Sequence, residues 1–166
     1  MKQKILLVSI GNGEQLANLR CCLERMDVDF QICVWEPTPI MNVGFFKRFY
    51  DFQPDLIHLV IDEGRPESFG NQVWKRYQKL FVFTQLVALK KMFKKPLCVT
   101  SSGASLADRI LAFASDGIEI SDIAHRARLR KFNGNVIWQT RNRENAGDDH
   151  SVNQLSRYYV HVLSSF

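Results

Sequence analysis

The sequence predicts an α/β domain: a parallel β-sheet of about six strands with helices on both faces. Three observations lead there. The chain opens on a continuously apolar run, Ile5 to Ile10, interrupted only by Ser9, as strands buried on both faces are. Further short apolar runs follow, most of them separated by segments whose apolar residues recur at helical spacing. A strand–helix–strand order of this kind gives right-handed crossovers and parallel neighbours. With 166 residues and 46% hydrophobic content, a single domain over 1–166 can bury a full core.

The elements follow in order. After the first strand, Gly11-Asn12-Gly13 makes a turn, and Leu16, Leu19, Leu23 and Met26 mark one buried helix face. Phe30 to Trp35 is the second strand. Pro37 and Pro39 interrupt regular structure, and Phe45, Phe46 and Phe49 suggest a short helix with an aromatic face, ended by Pro54. Leu56 to Ile61 is the third strand, with Asp62-Glu63-Gly64-Arg65-Pro66 as an exposed loop at its carboxyl end. Residues 71 to 94 are the longest helical segment. Pro96 stops it, and Leu97 to Thr100 is the fourth strand.

Ser101-Ser102-Gly103 is then a turn, and Ser105 with Asp108 forms a capping box before a helix carrying Leu106, Ile110 and Leu111. Gly117 to Ile120 is a fifth strand, Ser121 caps the next helix with Asp122 near its positive end, and Asn135 to Trp138 is the sixth strand. Residues 140–150 are polar and read as an exposed loop. A last helix starts near Ser151 and uses Val152, Leu155, Tyr159 and Val162. The whole is a Rossmann-like order, in which ligands bind beyond the carboxyl ends of the strands at the topological switch point.

Composition excludes several classes. No run of about 18 apolar residues occurs, and the first apolar run is too short for a signal peptide, so a cytoplasmic protein is expected. Cys21, Cys22, Cys33 and Cys98 form no C-x-x-C pair and sit in apolar segments, which predicts buried free thiols and no metal site. The net charge of +5 favours acidic partners weakly. Lys75, Arg76, Lys79, Lys90, Lys91 and Lys94 fall within an arc of about 160° on the long helix, making an anionic membrane surface at the inner face a candidate partner. Phe83, Leu86 and Val87 intrude on that arc. Nucleic acid is not expected, for want of a binding motif or stacking aromatics among the cations.

Candidate site residues cluster on the predicted rim. Gly11 and Gly13 let backbone N–H groups approach an anion or sugar, and equally suit a ligand-free turn. Leu16 stands where a dinucleotide fingerprint needs its third glycine, so no nicotinamide cofactor is implied. Asp62 and Glu63 can act as a general base or bind a cation or hydroxyl group, or be a solvated loop. Ser101, Ser102 and Gly103 can bind phosphate or sugar, or simply turn and cap. His58, within an apolar strand, reads as a satisfied core histidine. His125 beside Arg126, Arg128, Arg130 and Lys131 can meet phosphate or lie on a solvated helix.

Three stretches together resemble the N-terminal, acceptor-side domain of retaining GT-B glycosyltransferases. They are the opening strand with its glycine loop, Ile5 to Gly13; Gln53-Pro54-Asp55-Leu56-Ile57-His58-Leu59; and the segment from Lys94-Lys95-Pro96 through Ser102-Gly103 and Ser115-Asp116-Gly117 to Arg128-Leu129 and Asn135-Val136-Ile137. Most of residues 4 to 142 match the family's order and spacing. The resemblance implies hexosyl transfer from a nucleotide-sugar, with a glycan or glycolipid acceptor bound here and the donor held by a C-terminal domain or partner subunit. It implies no cofactor. Acceptor contacts would come from Gly11, Asn12, Gly13, Asp62, Glu63, Ser101, Ser102 and Gly103; the catalytic residues are not assigned.

Two departures qualify it. Ser102 replaces a common histidine, and Asn142-Arg143 replaces an Asn-Gly turn. The sequence given ends at Phe166 without a donor domain. The expectation is therefore a domain inactive by itself: a piece of a longer enzyme, a subunit of a split one, or a degenerate copy. The alternative is a non-enzymatic flavodoxin-like or receiver-like binding domain. Asp62 ends the third strand as a receiver would require, but Gly-Asn-Gly after the first strand does not supply its acidic cluster.

Overall fold

The computed structural model describes residues 2–10, 14–34, 43–61, 69–101, 110, 114–120, 137–138 and 149–165. The strands are β1 (Gln3–Ile10), β2 (Val28–Val34), β3 (Leu56–Ile61), β4 (Leu97–Ser101), β5 (Gly117–Ile120) and β6 (Ile137–Trp138). The helices are α1 (Glu14–Arg25), α2 (Val43–Phe52), α3 (Phe69–Phe93) and α4 (Asp149–Ser165). The sheet runs β2-β1-β3-β4-β5-β6, and every neighbouring pair is parallel. Its weight lies in β2, β1, β3 and β4. β5 adds four residues and β6 only two. An α/β fold on a parallel sheet is thus what the chain forms.

Side-chain alternation splits the core into two layers. Leu6 and Val8 on β1, Ile57, Leu59 and Ile61 on β3, and Leu97 and Val99 on β4 point to one face. There they meet Phe49 of α2 and Val82, Phe83, Leu86 and Leu89 of α3. Ile5, Leu7, Leu56, Val60 and Cys98 point to the other face. They meet Leu19, Cys22 and Leu23 of α1 and Leu155, Tyr158, Tyr159 and Val162 of α4. Burial on both faces explains why β1 and β3 are apolar at consecutive positions. Each fully buried Leu or Ile here contributes about 1.5–3 kcal/mol relative to an exposed one.

Two helices stop by the same device. Gln53 follows α2 with φ 49° and Lys94 follows α3 with φ 50°, both in the left-handed region. The Gln53 N–H bonds the Phe49 carbonyl at 2.9 Å, and the Lys95 N–H bonds the Lys90 carbonyl at 3.2 Å. These are left-handed C-terminal caps, followed within two residues by Pro54 and Pro96, which cannot continue a helix.

Several expectations need correction. β2 begins two residues before Phe30, and α4 begins at Asp149, so Asp149 and His150 belong to the helix and not to a 140–150 loop. Asp149 suits the helix start because a carboxylate is favourable in the first turn. Phe46 is 41% exposed, so the aromatic face of α2 buries Phe49 but not Phe46. Cys21 is exposed, while Cys22 and Cys98 are buried free thiols; adjacent helix positions point about 100° apart, which separates Cys21 from Cys22. The capping box at Ser105, the Ser121 cap and the 125–131 basic cluster lie outside the described residues.

Candidate functional site

The candidate rim begins with strand register. Ile10 pairs with Ile61, and Ile61 pairs with Ser101, so β1, β3 and β4 end level with one another. Adjacent strands lie about 4.8 Å apart, and the three exits therefore fall within about 10 Å. β1 and β3 flank the switch point, because the chain leaves β1 toward β2 on one side and returns to β3 on the other. α1 begins at Glu14, with three residues between it and the end of β1.

Of the sequence-predicted site residues, Ser101 is the last residue of β4. Gly11, Asn12, Gly13, Asp62, Glu63, Ser102 and Gly103 lie outside the described residues. Gly11, Asp62 and Ser102 are each the next residue in sequence after one of the three level strand ends.

Beneath the rim is a buried polar bridge. His58 on β3 is fully buried and uses both ring nitrogens: Nδ1 meets the Tyr159 hydroxyl at 2.7 Å and Nε2 meets the Thr100 hydroxyl at 2.7 Å. Hydroxyls can donate or accept, so a neutral ring satisfies both bonds in either tautomer. Burial pushes the His58 pKa down to about 3. The Tyr159 ring stands edge-on to the imidazole with centroids 5.6 Å apart. The core-histidine reading of His58 therefore holds. Tyr159, expected only as an apolar contact, is its partner from α4, and Thr100 lies one residue below the rim. Nothing local in the sequence signals the Tyr159 contact, which spans 101 residues.

Next to it, the Cys98 thiol is pushed up to about 12 by burial, against which the Tyr158 hydroxyl works in the opposite, lowering direction. A thiol this hard to ionise is no nucleophile at neutral pH. A Cβ on Gly117 would sit 2.5 Å from the Tyr158 hydroxyl, so glycine there leaves room for the tyrosine.

The opposite, amino edge of the sheet explains two of the motifs. Asp55, just before β3, donates its N–H to the Lys4 carbonyl at 2.7 Å and accepts the Lys4 N–H on its carboxylate at 2.9 Å. Asp116, just before β5, repeats this toward Leu97: N–H to the Leu97 carbonyl at 2.8 Å, and carboxylate from the Leu97 N–H at 2.8 Å. In each case an aspartate preceding one strand clamps the start of its parallel neighbour. Asp116 also accepts from the Lys90 ammonium at 2.5 Å, with both side chains 19% exposed. The Pro-Asp and Ser-Asp-Gly signatures thus carry strand alignment and lie away from the rim.

Lys90 is accordingly committed to Asp116 and does not belong to an exposed basic stripe. Val82, Phe83, Leu86 and Leu89 occupy the buried face of α3, and Lys91 and Lys94 are exposed at its end. The side chains of Lys75, Arg76 and Lys79 lie outside what is described. Among the described residues, no group of three or more His, Cys, Asp or Glu can hold a metal, and no helix is long and apolar enough to cross a membrane. An open groove of about 660 Å³ runs beside β2, lined by residues that include Lys4, Asp29, Gln31, Arg48, Asp51 and Phe52.

No protein-family model matches the chain, and no curated protein or solved structure matches it.

Proposed function

We propose that this chain is a Rossmann-like acceptor-binding domain of a nucleotide-sugar-dependent glycosyltransferase, with its site on the carboxyl rim. The observation that supports this most directly is the level ending of β1, β3 and β4 at Ile10, Ile61 and Ser101. It brings the origins of three loops to one place at the switch point, where open parallel sheets take their ligands. The glycines at 11 and 13 would offer backbone N–H groups, Asp62 or Glu63 would accept hydrogen bonds from acceptor hydroxyls, and Ser101, Ser102 and Gly103 would complete the contact. The donor sugar would be held by a second domain or subunit. A sugar acceptor suits a rim that offers both N–H donors and carboxylate acceptors, because its hydroxyls both donate and accept.

The test is saturation-transfer NMR with a panel of glycans and glycolipid headgroups, run beside calorimetry with nucleotide-sugars. Glycan binding should be weakened about tenfold or more in Asp62→Asn and Ser102→Ala, with no loss of melting temperature. Little or no nucleotide-sugar heat is expected. Stoichiometric nucleotide-sugar binding, or no glycan binding at all, would sink the reading.

The strand order favours a second reading. The run β2-β1-β3-β4-β5 is that of flavodoxin-like sheets, which fits a non-enzymatic binding or regulatory domain. Flavin fluorescence quenching on titration, or phosphoryl uptake from acetyl phosphate that is abolished by Asp62→Asn, would select that reading over sugar transfer.

A further inference from the structure

We propose that β2 is a dimerisation edge, at which two copies of this chain join strand to strand, antiparallel, about a two-fold axis passing between their two Gln31 residues. β2 is the first strand of the sheet, and among the described residues its one neighbour is β1. Its outer side therefore carries a row of backbone N–H and C=O groups along seven residues, about 24 Å of strand. Such an edge is a template for another strand.

The sequence of the strand selects a second copy as the occupant. It reads Val28-Asp29-Phe30-Gln31-Ile32-Cys33-Val34 and is nearly palindromic in character about Gln31. Antiparallel pairing centred there sets Val28 against Val34, Phe30 against Ile32, and Gln31 against Gln31. Directly opposite residues share a face of the joined sheet, so the apolar rows of the two copies run on without a break. Val28, Phe30 and Ile32 are only partly buried against the α1–α4 side of their own core, which leaves apolar surface for the partner to cover.

Charge and register point the same way. The pairing uses the full strand and sets Asp29 against Cys33, so no carboxylate faces a carboxylate. Asp29 already has Lys4 as its cross-strand neighbour on β1. Moving the centre to Asp29 would oppose two carboxylates, and moving it by half a residue would set apolar against polar positions. An isologous pair of this kind closes on itself and leaves no growing edge at β2.

The test uses the full chain. Sedimentation equilibrium should show a concentration-dependent dimer. Gln31→Glu should raise its dissociation constant about tenfold or more, and added salt should restore part of the loss. Gln31 is exposed, so the melting temperature of the diluted monomer should not change. In a Cys21→Ser background, Gln31→Cys should form a disulfide-linked dimer much faster than the control Ala17→Cys, which places its thiol on exposed α1. A monomer up to about 500 μM, a dimer indifferent to Gln31→Glu, or cross-linking at Gln31→Cys no faster than at Ala17→Cys would each overturn the proposal.

Discussion

At the residue scale, His58 is a fully buried polar group with both ring nitrogens bonded. It sits in the middle of the sheet and ties β3 to β4 through Thr100 and to α4 through Tyr159. Its ordinary pKa near 6.5 applies in the unfolded chain, whereas burial holds it to about 3 in the fold. The unfolded state therefore binds the extra proton between pH 6.5 and 3, and stability falls as pH drops through that window. Above about pH 6.5 the imidazole is neutral in both states and the loss vanishes. Urea titrations from pH 7 to pH 4 should show this decline, a few kcal/mol in all. His58→Leu should cost about 2–4 kcal/mol at pH 7 by leaving two buried hydroxyls without their partner, and should flatten the slope. An undiminished slope in that variant would place the titration elsewhere. The histidine's burial was legible from its apolar strand; its partners were not, because they come from elements 42 and 101 residues away.

At the element scale, the strands are held in line by aspartates at the amino edge and the helices stopped by left-handed caps. Pro54 and Pro96 marked the two helix ends in the sequence. The capping residues themselves, Gln53 and Lys94, gave no sign, because neither is the glycine that usually takes this conformation. The aspartate clamps stood out as motifs, yet spacing alone could not say whether they align strands or line a site. Asp116 offers the sharper test. Its carboxylate satisfies the Leu97 N–H and the Lys90 ammonium in a largely shielded position. Asp116→Ala should cost about 2–3 kcal/mol in chemical denaturation, because both partners lose their bond with little water to replace it. Arg25→Ala removes an ion pair to Asp149 whose partners are 50% and 89% exposed, and should cost less than about 0.5 kcal/mol. Equal losses in the two variants would contradict the clamp.

At the scale of the whole molecule, the two core layers lie on opposite faces of the sheet, and the sheet is not uniform. β1, β3 and β4 have covered faces and strand neighbours on both sides. β2 has one neighbour among the described residues, and β6 is a two-residue pairing on a four-residue β5. The alternation of strands and helices was readable because strands buried on both faces must be apolar throughout, a signal independent of partners. Strand order, and with it the level rim at Ile10, Ile61 and Ser101, depends on crossovers that no local pattern encodes. The resulting gradient predicts where the protein opens first. Amides of Leu6 to Val8, Ile57 to Val60 and Val99 are buried in the sheet centre and should exchange only by global unfolding. Amides of β6 should exchange on the order of 100-fold faster or more, because freeing it breaks a ladder of only two residue pairs; that ratio corresponds to about 2.7 kcal/mol. Hydrogen exchange followed by NMR across a denaturant series would resolve the two classes. Exchange in β6 as slow as in β3 would mean that the sheet opens as one unit, with the far edge as firmly held as the switch point.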